Sequence, residues 1–99
     1  MDKSHKPYTI QYTKSAEKFF CTHEHVRKQY IYAVDELMNG THPEKVDVMK
    51  IKGKRYNYYR IRLGEHRIIY TVIRQNIVVI NTLLAGTRGD IYKKMDGLK

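Results

Sequence analysis

The stretch that most constrains the fold is Tyr58-Tyr59-Arg60-Ile61-Arg62-Leu63-Gly64-Glu65-His66-Arg67-Ile68-Ile69-Tyr70. It reads as two strands joined by a tight Gly-Glu turn, because Gly-X is the signature of a type II′ hairpin. Side chains alternate across a strand. Tyr59, Ile61 and Leu63 therefore share one face, and Tyr58, Arg60 and Arg62 share the other. Pairing Leu63 with His66 across the turn sets Arg62 opposite Arg67, Ile61 opposite Ile68 and Tyr59 opposite Tyr70. One face is then a core and the other gathers three guanidinium groups. Like charges directly opposite one another are destabilising, by ~0.2–1 kcal/mol on the scale of cross-strand pairs. Such a cluster suggests an anion that the protein is built to hold.

The charge balance points the same way. Nineteen Lys and Arg stand against ten Asp and Glu in 99 residues, for a net charge of +9 and a pI of about 9.7. The partner expected is polyanionic: nucleic acid, an acidic protein or a membrane surface. The membrane is disfavoured, since no basic amphipathic helix dominates and no apolar run is long enough to span a bilayer. The length fits one domain, residues 1–99, with a modest core and no room for a separate cofactor domain. The polar start, residues 1–7, lacks the apolar core of a signal peptide, and a lone cysteine, Cys21, makes no internal disulfide. Both lead to the expectation of a cytoplasmic protein.

Along the chain, Tyr8–Tyr12 alternates as a strand. Thr13 or Ser15 then caps a short helix with Ala16, Phe19 and Phe20 on its apolar face. Thr22 is expected to cap a longer helix, in which Val26, Tyr30, Ala33, Val34, Leu37 and Met38 follow helical spacing until Asn39-Gly40. Residues 47–52 form a short strand, 56–63 and 66–73 the hairpin, and 77–84 an apolar, β-branched central strand. Gly86-Thr87-Arg88-Gly89 breaks the sheet, 90–94 form a terminal turn or short helix, and 95–99 fray. The order β-α-α-β-β-β predicts an α+β domain, a small antiparallel sheet of about four strands covered by an N-terminal helical hairpin.

Several residues could carry chemistry. Guanidinium groups of Arg60, Arg62 and Arg67 match phosphate oxygens as planar forks. The plainer alternative is a solvated outer face, with Glu65 or Asp90 as local partners. Arg88 and Tyr92 follow the last strong strand, where a rigid sheet positions functional groups; they could equally be surface residues. The basic run Lys50, Lys52, Lys54 and Arg55, followed by Tyr56, Tyr58 and Tyr59, could track a nucleic-acid backbone while a tyrosine stacks on bases. It could also be a solvated loop. With one cysteine and no paired carboxylate–histidine pattern, no metal site is expected. His66, beside Arg67, could carry a proton near neutral pH, although alternation sets it on the opposite face. Cys21 lies near the apolar positions of the first helix and reads as packing.

Three segments together carry a resemblance: Val48-Met49-Lys50-Ile51-Lys52-Gly53, the hairpin from Tyr59 to Tyr70, and Thr87-Arg88-Gly89-Asp90-Ile91-Tyr92-Lys93. The chain resembles the RelE/ParE superfamily of toxins over nearly its whole length. The basic set Arg60, Arg62, Arg67 and Arg88, with Tyr92, is similar to the RelE branch. That resemblance implies a toxin of a type II toxin–antitoxin pair, an endoribonuclease that cuts mRNA in the ribosomal A site. It implies attack of a 2′-hydroxyl on the neighbouring phosphate, with no metal or other cofactor. It also implies an acidic, partly disordered RelB-like antitoxin as partner, besides the ribosome and mRNA. Arg62 and Arg67 would hold the scissile phosphate, Arg88 would stabilise or protonate the leaving 5′ oxygen, Tyr92 would stack on a base, and Arg60 would fix the backbone or assist the nucleophile. Lys50, Lys52, Lys54, Arg55 and His66 would contribute RNA and ribosome contacts. The chain departs from the family by carrying Arg60 and Arg62 where the best-known pattern has lysines. Arginine is a poor base, so His66, a ribosomal group, or electrostatics and ribosomal distortion alone would have to serve. The rival implications are a ParE-like inhibitor of DNA gyrase without ribonuclease activity, and a relative that only binds its antitoxin.

Overall fold

The structure, a computed structural model, describes residues 7–99; the first six residues of the polar start lie outside it. Strand β1 (Tyr8–Tyr12) leads into α1 (Lys14–Cys21) and α2 (Glu24–Asn39), and a 3-10 turn (Pro43–Lys45) precedes β2 (Val48–Lys50). Strands β3 (Tyr59–Leu63), β4 (His66–Arg74) and β5 (Val78–Thr87) follow, and α3 (Arg88–Met95) closes the chain. The sheet has five strands in the order β1-β5-β4-β3-β2. All neighbours are antiparallel except β1 and β5, which run parallel. The α+β class and the helical hairpin are as expected. The count of about four strands and the purely antiparallel sheet are corrected: the short strand expected at 47–52 joins the sheet as β2 and makes the total five, and β1 returns to the far edge, parallel to β5. Hydrophobic alternation marks a strand but carries no information on its distant neighbour or that neighbour's direction.

The central hairpin has the register expected from its sequence, with Leu63 opposite His66, Arg62 opposite Arg67, Ile61 opposite Ile68 and Tyr59 opposite Tyr70. Gly64 has φ +62°, and no described non-glycine residue has positive φ, which fits the Gly-X form of the turn. Between β4 and β5 the ladder slips: Ile69 faces Leu84 while Tyr70 faces Thr82. Leu83 is the extra residue of a β-bulge. The bulge turns both Leu83 and Leu84 toward α3 and leaves Thr82 and Ala85 toward the helical hairpin. Thr13 stabilises the kink, since its amide donates to Thr82 O at 2.9 Å and its hydroxyl to Leu83 O at 2.6 Å. The same hydroxyl accepts from the Ala16 amide as the N-cap of α1.

Two apolar layers result. Phe20, Val26, Tyr30 and Val34 of the helical hairpin pack on Ile61, Ile68, Tyr70, Ile80 and Ala85. Burying each large side chain contributes ~1.5–3 kcal/mol. On the opposite face, α3 places Ile91 on Tyr58 and Ile69, with Leu83, Leu84, Met95 and Leu98 around them. Arg27 joins α1 to α2 through Glu17 at 2.7 Å, and its guanidinium lies over the Tyr12 and Phe20 rings. Four local expectations are corrected here. Thr22 closes α1 by donating to Phe19 O and leaves His23 at the start of α2. Gly86 and Thr87 continue β5 opposite Arg67 and His66, because the glycine stays in extended conformation. The tail does not fray: the Lys54 ammonium donates to Met95 O at 2.9 Å and Leu98 O at 3.1 Å. Cys21 is exposed, on the outer side of α1 near Glu17.

Candidate functional site

Alternation on β3 and β4 sends Arg60, Arg62 and Arg67 to the face that α3 only partly covers. Across that face runs one transverse row. Asp47, whose carbonyl accepts from the Arg62 amide at 2.9 Å, comes first, followed by Arg62, Arg67 and Gly86 on β3, β4 and β5. Neighbours in such a row stand ~4.5–5.5 Å apart at Cβ. Gly86 contributes no side chain, so the first turn of α3 settles over that end, with Asp90 Cβ about where a Gly86 side chain would make contact. Thr87 caps α3 by accepting from the Asp90 amide. The Arg88 amide donates to Glu65 O at 3.1 Å, which ties the hairpin turn to the start of α3. Arg88 therefore stands beside Arg67, and Tyr92 follows one helical turn later on the same side.

The result is a depression of about 390 Å³ lined by Arg62, Gly64, Glu65, Arg67, Thr87, Arg88 and Gly89. Arg67 is its fixed point, since its guanidinium donates to Gly64 O at 2.8 Å and His66 O at 3.1 Å. Burial, and then the positive charges of Arg62, Arg60 and Arg88, push the Arg67 pKa down, while Tyr92 opposes the shift. Three arginines and the tyrosine thus act electrostatically on Arg67, and an anion bound there would relieve the repulsion it feels from the cations. Tyr92 is 61% exposed, so its ring stands open to solvent beside the arginines. Arg60 lies deeper: its Nη2 donates to Asp47 Oδ1 at 2.7 Å and its buried Nε has no partner. Asp47 Oδ2 lies 3.8 Å from Arg62. Asp47, and neither Glu65 nor Asp90, is therefore the carboxylate paired with the cluster. Alternation could have found it, because Asp47 lies one step beyond Val48, which faces Ile61.

The remaining candidates divide. His66 is on the helical-hairpin side, as alternation requires, with its ring 5.5 Å from both Phe19 and His23 and 6.4 Å from His25. Burial first, and then charges on His23 and His25, lower its pKa. It does not join the arginines. Lys54, expected among the nucleic-acid contacts, donates to Met95 O at the end of α3 and to Leu98 O just beyond it, a contact that caps the helix. Lys50, Lys52 and Arg55 are exposed, and the Arg55 guanidinium lies over the Tyr56 ring. Of the three tyrosines in that run, Tyr58 is buried under α3 and Tyr59 stacks on Tyr70, which leaves Tyr56 exposed. Among the described residues no group of three or more His, Cys, Asp or Glu is placed to hold a metal ion, and no helix is long and apolar enough to cross a membrane.

No family model matches the chain. Over 46 residues it is 44% identical to Toxin RelE3 of Methanocaldococcus jannaschii, a match covering 44% of this chain and 51%, about half, of that relative. Its fold is similar to that in the crystal structure of a RelB–RelE antitoxin–toxin complex from Methanococcus jannaschii, with TM-score 0.58 and 29% identity over 85% of this chain and 96% of that one. It is also similar to that in the archaeal RelE–RelB complex from Pyrococcus horikoshii OT3, with TM-score 0.61 and 32% identity over 84% of this chain and 97% of that one. Likeness of that extent, 32% identity over nearly the whole of a solved RelE chain, shows that the chain belongs to the RelE/ParE toxin superfamily, in its RelE branch.

Proposed function

We propose that this protein is the toxin of a type II toxin–antitoxin pair and a metal-independent endoribonuclease that cuts mRNA in the ribosomal A site. The observation that carries the reading is the depression lined by Arg62, Arg67 and Arg88, with Arg60 and the exposed Tyr92 near enough to act on Arg67. In this reading Arg67 and Arg62 bind the scissile phosphate and stabilise the charge that builds on its oxygens, usually the largest contribution in such sites. Fixed by two backbone carbonyls, Arg67 needs little reorganisation to do so. Arg88 stabilises the leaving 5′ oxygen and Tyr92 stacks on a base. Arg60, held by Asp47, fixes the RNA backbone. Lys50, Lys52 and Arg55 add contacts to RNA at the sheet edge. An acidic, partly disordered antitoxin of the RelB kind neutralises the toxin in the cytoplasm, as fits the net charge of +9 and relatives solved in complex with RelB.

Primer extension on a defined mRNA in a purified translation system tests this reading. Cleavage within codons only when ribosomes are present is the expected result. An intact transcript, together with inhibited supercoiling in a gyrase assay, would overturn it in favour of a gyrase poison.

A further inference from the structure

Transfer of a phosphodiester to a 2′-hydroxyl needs a group that accepts the hydroxyl proton, and the arginines cannot provide it, because guanidinium stays protonated with a pKa above ~12. His66 is separated from them by the sheet, on the side of Phe19, His23 and His25. Asp47 stands in the same transverse row as Arg62 and Arg67. Its Oδ1 is held by Arg60 at 2.7 Å, and its Oδ2 is 3.8 Å from Arg62, beyond hydrogen-bond distance. One oxygen is thus anchored and the other is open, on a side chain that is half exposed. We infer that Asp47 is the general base of this site, which deepens the endoribonuclease reading and rests on it. Oδ2 takes the proton of the 2′-hydroxyl as O2′ bonds to phosphorus. The bond from phosphorus to O5′ breaks with its electron pair on O5′, which leaves beside Arg88 and gains a proton from water. The products are a 2′,3′-cyclic phosphate and a 5′-hydroxyl, and Asp47 returns its proton to solvent. The Arg60 contact fixes the carboxylate, with its open oxygen on the side of Arg62.

Single-turnover cleavage of ribosome-bound mRNA, followed against pH for wild type, Asp47→Asn, Asp47→Glu and Asp90→Asn, tests the assignment. Asparagine keeps an oxygen for Arg60 and loses the base. General-base catalysis contributes ~10²–10⁴-fold, so Asp47→Asn should be slower by ~10²-fold or more. Its rate should then climb about tenfold per pH unit through the neutral range as hydroxide replaces the missing base, where wild type is flat. Asp47→Glu should restore the flat profile with part of the rate. An Asp47→Asn profile parallel to wild type would overturn the inference and leave Asp47 a positioning residue. The hydroxide-dependent profile in Asp90→Asn instead would also overturn it, in favour of the carboxylate at the other end of the row. Cleavage by wild type in those same reactions shows that only the Asp47 assignment has failed, whereas no cleavage by wild type overturns the endoribonuclease reading and this inference together.

Discussion

Arg67 faces Arg62 directly across the hairpin, and burial first, then the charges of Arg62, Arg60 and Arg88, lower its pKa. Its two backbone contacts keep it there without a carboxylate partner of its own. Arg67→Ala and Arg88→Ala should each cost ~10²–10³-fold in cleavage, the scale of losing one preorganised donor at a developing charge. Far-ultraviolet circular dichroism and the urea unfolding midpoint should stay close to wild type; a collapse of either would show that these arginines serve the fold. A different pair does serve the fold. The Tyr30 hydroxyl and Thr82 Oγ1, both buried, lie 2.7 Å apart between α2 and the bulged strand. Thr82→Val should cost ~1–3 kcal/mol by leaving the tyrosine hydroxyl unsatisfied. In urea titrations, adding Tyr30→Phe should cost less than it does alone, and strict additivity would refute the coupling. The arginine set was legible because period-two alternation acts within one strand. The Arg60–Asp47 pair needed one thing more than alternation, the facing of Val48 with Ile61, which sets the residue just before β2 on the arginine side.

At the level of elements, α3 bears Arg88 and Tyr92 but is only eight residues long, too short to hold its own conformation. It is held by Ile91 on the sheet, by the Arg88 amide on the hairpin turn and by Lys54 on its C-terminal carbonyls. Lys54→Met should therefore speed amide hydrogen exchange in α3 while leaving β4 unchanged; equal protection in both proteins would remove Lys54 from the account. Sequence showed a basic loop and a turn or short helix after residue 89 without showing that they meet, since a cap made 41 residues away has no local signature. The junction of the hairpin with α1 and α2 behaves differently. His66 has a lowered pKa there from burial and from His23 and His25, against which Glu65 acts in the opposite direction and Arg67 in the same one. The unfolded chain then binds more protons than the folded one, so the stabilisation is full above the ordinary histidine pKa of about 6.5 and is lost as pH falls below it. The melting temperature should drop between about pH 7 and 5.5, and His66→Gln should flatten that slope. An unchanged slope would place the acid sensitivity elsewhere.

Over the whole molecule, the sheet separates two jobs. One face is filled by the helical hairpin and carries the main core, and the other is shared between α3 and the arginine row. Composition raised the expectation of a polyanionic partner, since a net charge of +9 has to be distributed over a small surface. The strand order was not legible. The parallel β1–β5 pair joins residues 8 and 78, and only tertiary packing of α1 and α2 brings them together. That packing also decides which face of the sheet the helical hairpin leaves open, so the candidate site follows from topology as much as from the hairpin. The most direct test is end-group analysis of mRNA cut on programmed ribosomes by wild type and by the Arg67→Ala protein, without added metal-dependent nuclease. The account predicts 2′,3′-cyclic phosphate and 5′-hydroxyl ends at A-site codons with wild type, nearly lost with Arg67→Ala. Intact mRNA with wild type, or equal cutting by both proteins, would contradict it.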